Sequence, residues 1–322
     1  MRLRLVKEHT TFNFFKMWKM WIGVSAVFVV LSIVSTVIMG LNFGIDFKGG
    51  TTIRAESSMP VDVATYRAAI EPLGLGDISI AEVFDPSFRV DQHVAQIRIQ
   101  AQEGQESIAS DMVVRLEAVL QDIAPGITFP LVESVGPKVS GELIQSAALA
   151  VVIAIAVVLI YIWLRFEWQF AVGAVGALVH DIILTIGVFS ALQIKFDLAI
   201  IAALLTIVGY SLNDTVVVFD RVRENLRRYK QKNLSDVLNL SINETLSRTV
   251  MTSVTTLLAL ISLFVLGGDV IRGFVFAMIW GVLVGTYSSV FVASSTLLRL
   301  GVKRDWTKPS NTDGNQFANI DA

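Results

Sequence analysis

Three ionisable side chains stand inside long apolar runs of this sequence: Asp181, Asp214 and Arg248. Carrying such a group into hydrocarbon costs roughly 2.5 to 3.5 kcal/mol on insertion scales, so each needs a partner or a wetted cavity. Asp214 lies in Gly209-Tyr-Ser-Leu-Asn-Asp-Thr-Val-Val-Val-Phe-Asp220. At a helical rise of 1.5 Å per residue its carboxyl is about 24 Å from Leu198, the outer end of its run; Arg248 is about 27 Å from Leu266 and Asp181 about 18 Å from Gln193. The acid and the arginine thus share a depth to within a turn. In low dielectric, a small movement that separates an acid from a basic partner favours its protonation. A transmembrane potential is worth about 2.3 kcal/mol per charge per 100 mV, so proton transit through such a site can drive a conformational cycle. The same residues also fit a static ion pair that fixes helix register, and Asp181 fits either a relay member or a structural hydrogen-bond partner.

Spacing places these groups on faces. Gly173, Ala177, Asp181 and Thr185 recur every four residues, a seam of small side chains that turns the carboxyl into a helix bundle. Thr206, Tyr210 and Asp214 form a second such series, with Asn213 beside the acid, and Arg248, Thr252 and Thr255/Thr256 a third. Tyr210, Asn213, Thr252 and Thr256 are therefore the expected lining of a hydrogen-bonded proton path. Gly273, Ala277, Gly281, Gly285, Ser289 and Ala293 make a close-packing face, directed within the bundle or at a partner subunit. His180 reads as a packing or cavity residue rather than a ligand, and Asp220 as one side of a solvated salt bridge with Arg221 and Arg223.

The elements that must hold these residues are membrane spans. Of the 322 residues, 53% are hydrophobic and 17% charged, and the mean hydropathy is +0.63, outside the range of an ordinary soluble domain. Six stretches supply the roughly 20 apolar residues that a bilayer crossing takes, near 20–40, 143–164, 170–192, 198–219, 246–266 and 273–298. The first is too long for a signal peptide and no A-x-A site follows it, so it reads as a retained helix. Arg2, Arg4, Lys7, Lys16 and Lys19 precede it, Arg165 lies between the second and third, six Lys/Arg from Arg221 to Lys232 lie between the fourth and fifth, and Arg299, Lys303, Arg304 and Lys308 follow the sixth. By the positive-inside rule that side is cytoplasmic, with both termini.

This divides the chain into a cytoplasmic N-terminus (1–19), a first span (20–40), an outward domain (41–142), a five-span bundle (143–298) with a cytoplasmic loop at 220–245, and a cytoplasmic, partly disordered tail (299–322). Residues 42–141 hold fourteen Asp/Glu against seven Lys/Arg. Within them Thr51–Glu56, Ile78–Val83, Val94–Gln100 and Ile127–Val132 read as strands, and 60–73 and 106–123 as helices. The order β-α-β-β-α-β is a ferredoxin-like split. Residues 233–245 read as a short amphipathic helix at the membrane interface, started by a Ser235 cap.

Several functions are disfavoured. There is no cysteine, hence neither a disulfide framework nor a thiolate site, and the three histidines form no HExxH pair for zinc hydrolysis. No metal site or enzymatic activity is expected. No Walker A pattern offers ATP as an energy source. Gly44-Ile-Asp-Phe-Lys-Gly-Gly-Thr51 lacks the strand and helix of a phosphate loop and reads as a turn into the outward domain.

Four motifs together carry a resemblance: Gly44–Thr51, Ala177-Leu-Val-His-Asp181, Gly209–Glu224, and Ser247-Arg-Thr-Val-Met-Thr-Ser-Val-Thr-Thr256. Over about residues 12 to 300 the sequence resembles the SecD/SecF family of bacterial protein-export membrane subunits, in the RND superfamily, on its SecF side. The resemblance implies six transmembrane helices with an inserted periplasmic α+β domain in the cell inner membrane, and an obligate complex with SecD. It also implies work beside the Sec channel and accessory membrane subunits on preprotein substrate, driven by the proton motive force, with the proton as coupling ion, no bound cofactor and no nucleic acid. Asp214 matches the family's functional acid, Arg248 its functional arginine, and Asp181 the acid of the third-helix motif. The readings left beside this one are an RND-type proton-driven exporter of a small molecule or lipid, which calls for a larger porter domain, and a structural scaffold. Sodium in place of the proton also fits a carboxylate lined by hydroxyls.

Overall fold

Apolar runs of this length become helices because hydrocarbon offers no partner to a backbone N–H or C=O, and a helix satisfies them within the segment. The computed structural model of the protein describes residues 10–76, 78–86, 88–100 and 110–302. It contains six helical segments long and apolar enough to cross a membrane. In chain order the helices are α1 (Trp18–Met39), the single turn α2 (Ile45–Lys48), α3 (Val63–Ile70), α4 (Ser110–Ile123), α5 (Pro137–Arg165), α6 (Trp168–Ala191), α7 (Leu198–Arg228), α8 (Leu234–Leu266), α9 (Asp269–Ser288) and α10 (Ser294–Leu300). A π-helical turn, Ser289–Ala293, joins the last two into one span. The segment 1–9 and the tail 303–322, expected above to be cytoplasmic, lie outside the described residues, as do 101–109 and with them the first turn of the expected helix at 106–123.

Between α1 and α5 the strands β1 (Gly50–Ser57), β2 (Ile78–Val83), β3 (His93–Gln100) and β4 (Thr128–Val135) form one sheet in the order β2-β3-β1-β4. Every pairing is antiparallel, with Ile53 opposite Ile97 on one side and Val132 on the other. That order, with α3 and α4 as the two crossovers, is the ferredoxin-like arrangement expected from the sequence. Alternation supplies the core: Ile53, Ala55, Ala95, Ile97 and Ile99 face Tyr66, Ile70, Leu116 and Leu120 from the two helices. α3 starts three residues later than expected because Asp62 caps it by accepting from the Ala64 N–H.

The span bundle is centred on α6 and α7. Phe170, Ala174 and Ala177 of α6 pack on Val218, Phe219 and Val222 of α7 and on Ala293 and Leu297 of the last span. Toward the sheet, Phe189, Phe196, Ile200 and Ile207 make a second core with Ala277 and Met278. Outward-facing Leu, Val and Ile on α1, α5 and α8 are exposed, as expected of side chains whose solvent is lipid.

One expectation is corrected. Residues 233–245 are not a separate interfacial helix, and 220–245 is not one loop: α7 runs to Arg228, and α8 runs unbroken from Leu234, so that Ser235 lies inside the helix and not at its cap. No Gly or Pro interrupts 234–266. The apolar stripe Val237, Leu238 and Ile242 packs on Val222 and Leu226 of α7, and the buried Asn225 Nδ2 donates to Ser241 Oγ at 3.1 Å and Glu244 Oε2 at 2.7 Å. With a partner helix beside it, that stripe extends the span instead of lying on the interface.

Candidate functional site

Asp181 is fully buried at 0% exposure, on the expected α6 seam with Gly173, Ala177 and Thr185. The seam works by close approach: a Cβ at Gly173 would stand 3.0 Å from the Ala293 carbonyl oxygen. The Asp181 carboxyl accepts from Ser211 Oγ of α7 at 2.7 Å and Ser288 Oγ of α9 at 2.8 Å, both on Oδ2. Its Oδ1 lies 2.9 Å from His180 Nδ1. One carboxylate therefore ties three helices together. Directly below, Thr215 Oγ1 and Ser289 Oγ share a hydrogen bond of 2.9 Å at the start of the π turn.

Asp214, 4% exposed, sits on α7 three residues past Ser211, and its Oδ2 is buried with no hydrogen-bond partner among the described residues. Among the described residues no ion pair within 4.0 Å joins it to Arg248, although the guanidinium is close enough for its charge to act on the carboxyl. Arg248 is exposed and lines a cavity of about 480 Å³ with Tyr161, Asp220, Glu224 and Glu244. Tyr210 and Thr256 do meet across α7 and α8, with the phenol donating to the threonine Oγ1 at 3.4 Å. Thr252 instead turns back, donating to the Arg248 carbonyl at 3.1 Å. Asn213 is exposed beside the acid. Asp220 pairs with Arg165 at 3.5 Å rather than with Arg221, which binds Glu224 and Glu244.

The small-residue series of the last span resolves inward. A Cβ on Gly281 would fall 2.3 Å from Ile207 Cγ1, and one on Gly285 3.0 Å from Ser211 Cβ, whereas Gly273 leaves 3.5 Å to Ile200. Together with the buried Ala277, these residues let α9 lie against α7, which carries both Ser211 and Asp214.

A second polar site was missed by sequence reasoning. The Gly44–Thr51 segment is more than a turn: Phe43 bridges Phe196 in the α6–α7 connection, with Gly44 N–H donating to the Phe196 carbonyl and Phe196 N–H to that of Asn42, both at 2.8 Å. Asp46 Oδ2 then accepts from the Leu198 N–H at 3.1 Å, and Asp197 Oδ1 from that of Ile200 at 3.2 Å. Burial pushes the Asp197 carboxyl up, and the neighbouring Asp46 charge adds to this against the backbone bonds that lower it. Arg98 of β3 is lowered by burial and raised in turn by Asp197 and Asp46. Ser211 and Ser288 were likewise missed as partners of Asp181; the pairs Ser288-Ser289 and Ser294-Ser295 inside an apolar run were the available signal.

Six spans with buried carboxylates among them and a ferredoxin-like unit after the first define a polytopic α-helical membrane protein. Residues 115–303 match the family of the protein export membrane protein SecD/SecF, C-terminal region, and residues 34–61 the SecD/SecF GG motif. The protein translocase subunit SecF of Cereibacter sphaeroides is 61% identical over 321 residues, 100% of this chain and 99% of the relative. That of Vibrio alginolyticus is 39% identical over 96% of each. The crystal structure of SecDF, a translocon-associated membrane protein from Thermus thermophilus, superposes with a TM-score of 0.79 at 33% identity, over 92% of this chain and 39% of that one. SecDF in a super-membrane-facing form gives 0.68 at 34% identity, over 93% and 40%. The chain spans about two fifths of those SecDF chains and nearly the full length of its SecF relatives. The chain belongs to the SecF family of protein translocase subunits.

Proposed function

We propose that this chain works in the inner membrane as the proton-motive-force-coupled half of a complex with SecD, assisting preprotein translocation beside the Sec channel and its accessory membrane subunits. Asp214 carries the proton, Arg248 gates its charge, and Asp181 extends the relay into the bundle, with Tyr210, Asn213, Thr252 and Thr256 lining the path. The sheet unit faces outward and both termini face the cytoplasm, in keeping with the Lys/Arg placement.

The observation that carries this reading is a polar face that nothing among the described residues covers. Asn213 of α7 and Arg248 of α8 are exposed at span depth beside Asp214, whose Oδ2 lacks a partner among the described residues. Hydrocarbon cannot solvate these groups, and helices of a partner laid against α7 and α8 supply the cover they need. In SecDF the matching region is two fifths of a longer chain, which is the source of SecD as that cover.

The test is export into sealed vesicles with an imposed proton gradient. Asp214→Asn is expected to retain membrane assembly with SecD and to lose the gradient-dependent stimulation; full stimulation by this variant overturns the relay. Normal work by a charge-swapped Asp214→Arg/Arg248→Asp pair would make the two a register-fixing scaffold instead.

A further inference from the structure

Beside the proposed relay, α6 carries a buried titratable group that the relay does not use. His180 is 5% exposed, and its Nδ1 is engaged with Asp181 Oδ1 at 2.9 Å. Its Nε2 is buried and has no hydrogen-bond partner among the described residues. With Asp181 ionised, Nδ1 is the protonated nitrogen and Nε2 a bare acceptor, because a neutral imidazole carries one N–H. The ring also lines a groove of about 460 Å³ between α1 and the last span, walled by Ser25 and Val29 on one side and Thr296 and Arg299 on the other. The groove lies at the end of the bundle away from the sheet, where Arg299 is exposed.

The surroundings hold few other charges. On α9, Tyr287 stacks on the imidazole with ring centroids 6.2 Å apart, and its hydroxyl is occupied by Ser25 of α1 at 2.9 Å. Arg299 of α10 is the cation of the groove, and α1 brings no charged side chain to its lining. On α6 the facing group is Asp181 itself. Across Asp181 stand the hydroxyls of α7 and α9, then the π turn, a local distortion frequent at functional sites.

We propose that His180 is a proton-binding residue in its own right, through which a proton enters from the α1/α10 groove and reaches the Asp181–Ser211–Ser288 network without passing Asp214. Nε2 takes the incoming proton on its lone pair, and the Nδ1 proton passes to Asp181 Oδ1. The products are a neutral imidazole protonated on Nε2 and a neutral carboxyl, and no other reactant is needed. Neutralising Asp181 weakens its hold on Ser211 and Ser288 together, so the event is felt by α6, α7 and α9 at once. The inference shares Asp181 with the relay proposed above but does not depend on Asp214, and the two can fail separately.

The sequence contains three histidines, His9, His93 and His180, so His9→Asn/His93→Asn leaves one imidazole in the full chain. Nitrogen-15 magnetic resonance of that ring in lipid bilayers, from pH 9 to pH 5, reads Nε2 directly. The expected result is an acceptor-type Nε2 signal at high pH that converts to the protonated type, with the conversion kept in Asp214→Asn. An Nε2 signal unchanged across the range, or a conversion lost in Asp214→Asn, overturns the proposal. Access is read separately from the rate of Nε2 acylation by diethyl pyrocarbonate. Ala26→Phe, which fills the groove, is expected to slow it at least about tenfold, and an unchanged rate overturns the groove as the route.

Discussion

Asp46 Oδ2 accepts the backbone N–H of Leu198 at 3.1 Å, across 152 residues of sequence. Leu198 opens α7, the helix that carries Ser211 and Asp214, and Asp46 stands four residues before β1. The first strand of the sheet unit and the first turn of α7 are thereby held by one side chain, while Phe43, Phe47, Phe189 and Phe196 pack around the connection. A movement of the sheet unit has a short mechanical route to α7.

Removing that cap tests the link. A carboxylate on an orphan N–H at a helix N-terminus is worth about 1 kcal/mol, within a range of roughly 0.5 to 2. Asp46→Ala is expected to lower the thermal midpoint of the detergent-solubilised protein by a few degrees. Asp46→Asn, which keeps an acceptor oxygen, should stay near the parent; equal losses in both variants would refute the capping role.

Asp197 gives a pH dependence of definite sign. Burial, aided by the Asp46 charge, raises its carboxyl above the ordinary value despite the Ile200 and Ala199 backbone bonds. The folded state therefore binds this proton more tightly than the unfolded chain does. The stability so contributed is present at low pH and lost as pH rises through the folded value. Asp197→Asn, still a competent N-cap, should be more stable than the parent at pH 7 to 8 and lose its advantage toward pH 4. Denaturation curves of both across that range decide it, and an advantage that grows on acidification would reverse the assignment.

The α7–α9 contact gives a steric contrast. Gly281→Ala places a methyl 2.3 Å from Ile207 Cγ1, whereas Gly273→Ala meets only an ordinary 3.5 Å contact. Overpacking of this kind costs about 1 to 3 kcal/mol. Gly281→Ala should unfold at lower temperature than Gly273→Ala, and Ile207→Ala should rescue it in part. Equal stability of the two glycine variants would mean that α9 has room to shift.

Much of this molecule was legible before any packing was known. Twenty apolar residues in a row can satisfy their backbone only as a helix in lipid, and that alone delivered six spans. Alternation in Ile97 and Ile99 against Gln96 and Arg98 delivered β3, and the order of strands and helices left few topologies for the sheet. The four-residue repeat Gly173, Ala177, Asp181, Thr185 fixed the buried face of α6, because a helix returns each fourth residue to the same side. The interfacial helix at 233–245 failed because amphipathicity states that a face is apolar and leaves open what covers it. Here the cover is Val222 and Leu226 of α7.

What the sequence determined by itself is therefore local: which segments are helical, which face of each is apolar, and how deep a charged residue stands. These follow from rise and period along one element. Tertiary structure alone decided the partners. Ser211 and Ser288 reach Asp181 from 30 and 107 positions away, and Asp46 reaches Leu198 over a still longer gap. Asp214 and Arg248, at matching depth, stop short of an ion pair. A hydrogen bond depends on tenths of an ångström between elements, set by how small residues such as Gly281 and Gly285 let helices approach. No periodicity along a single strand of sequence contains that distance.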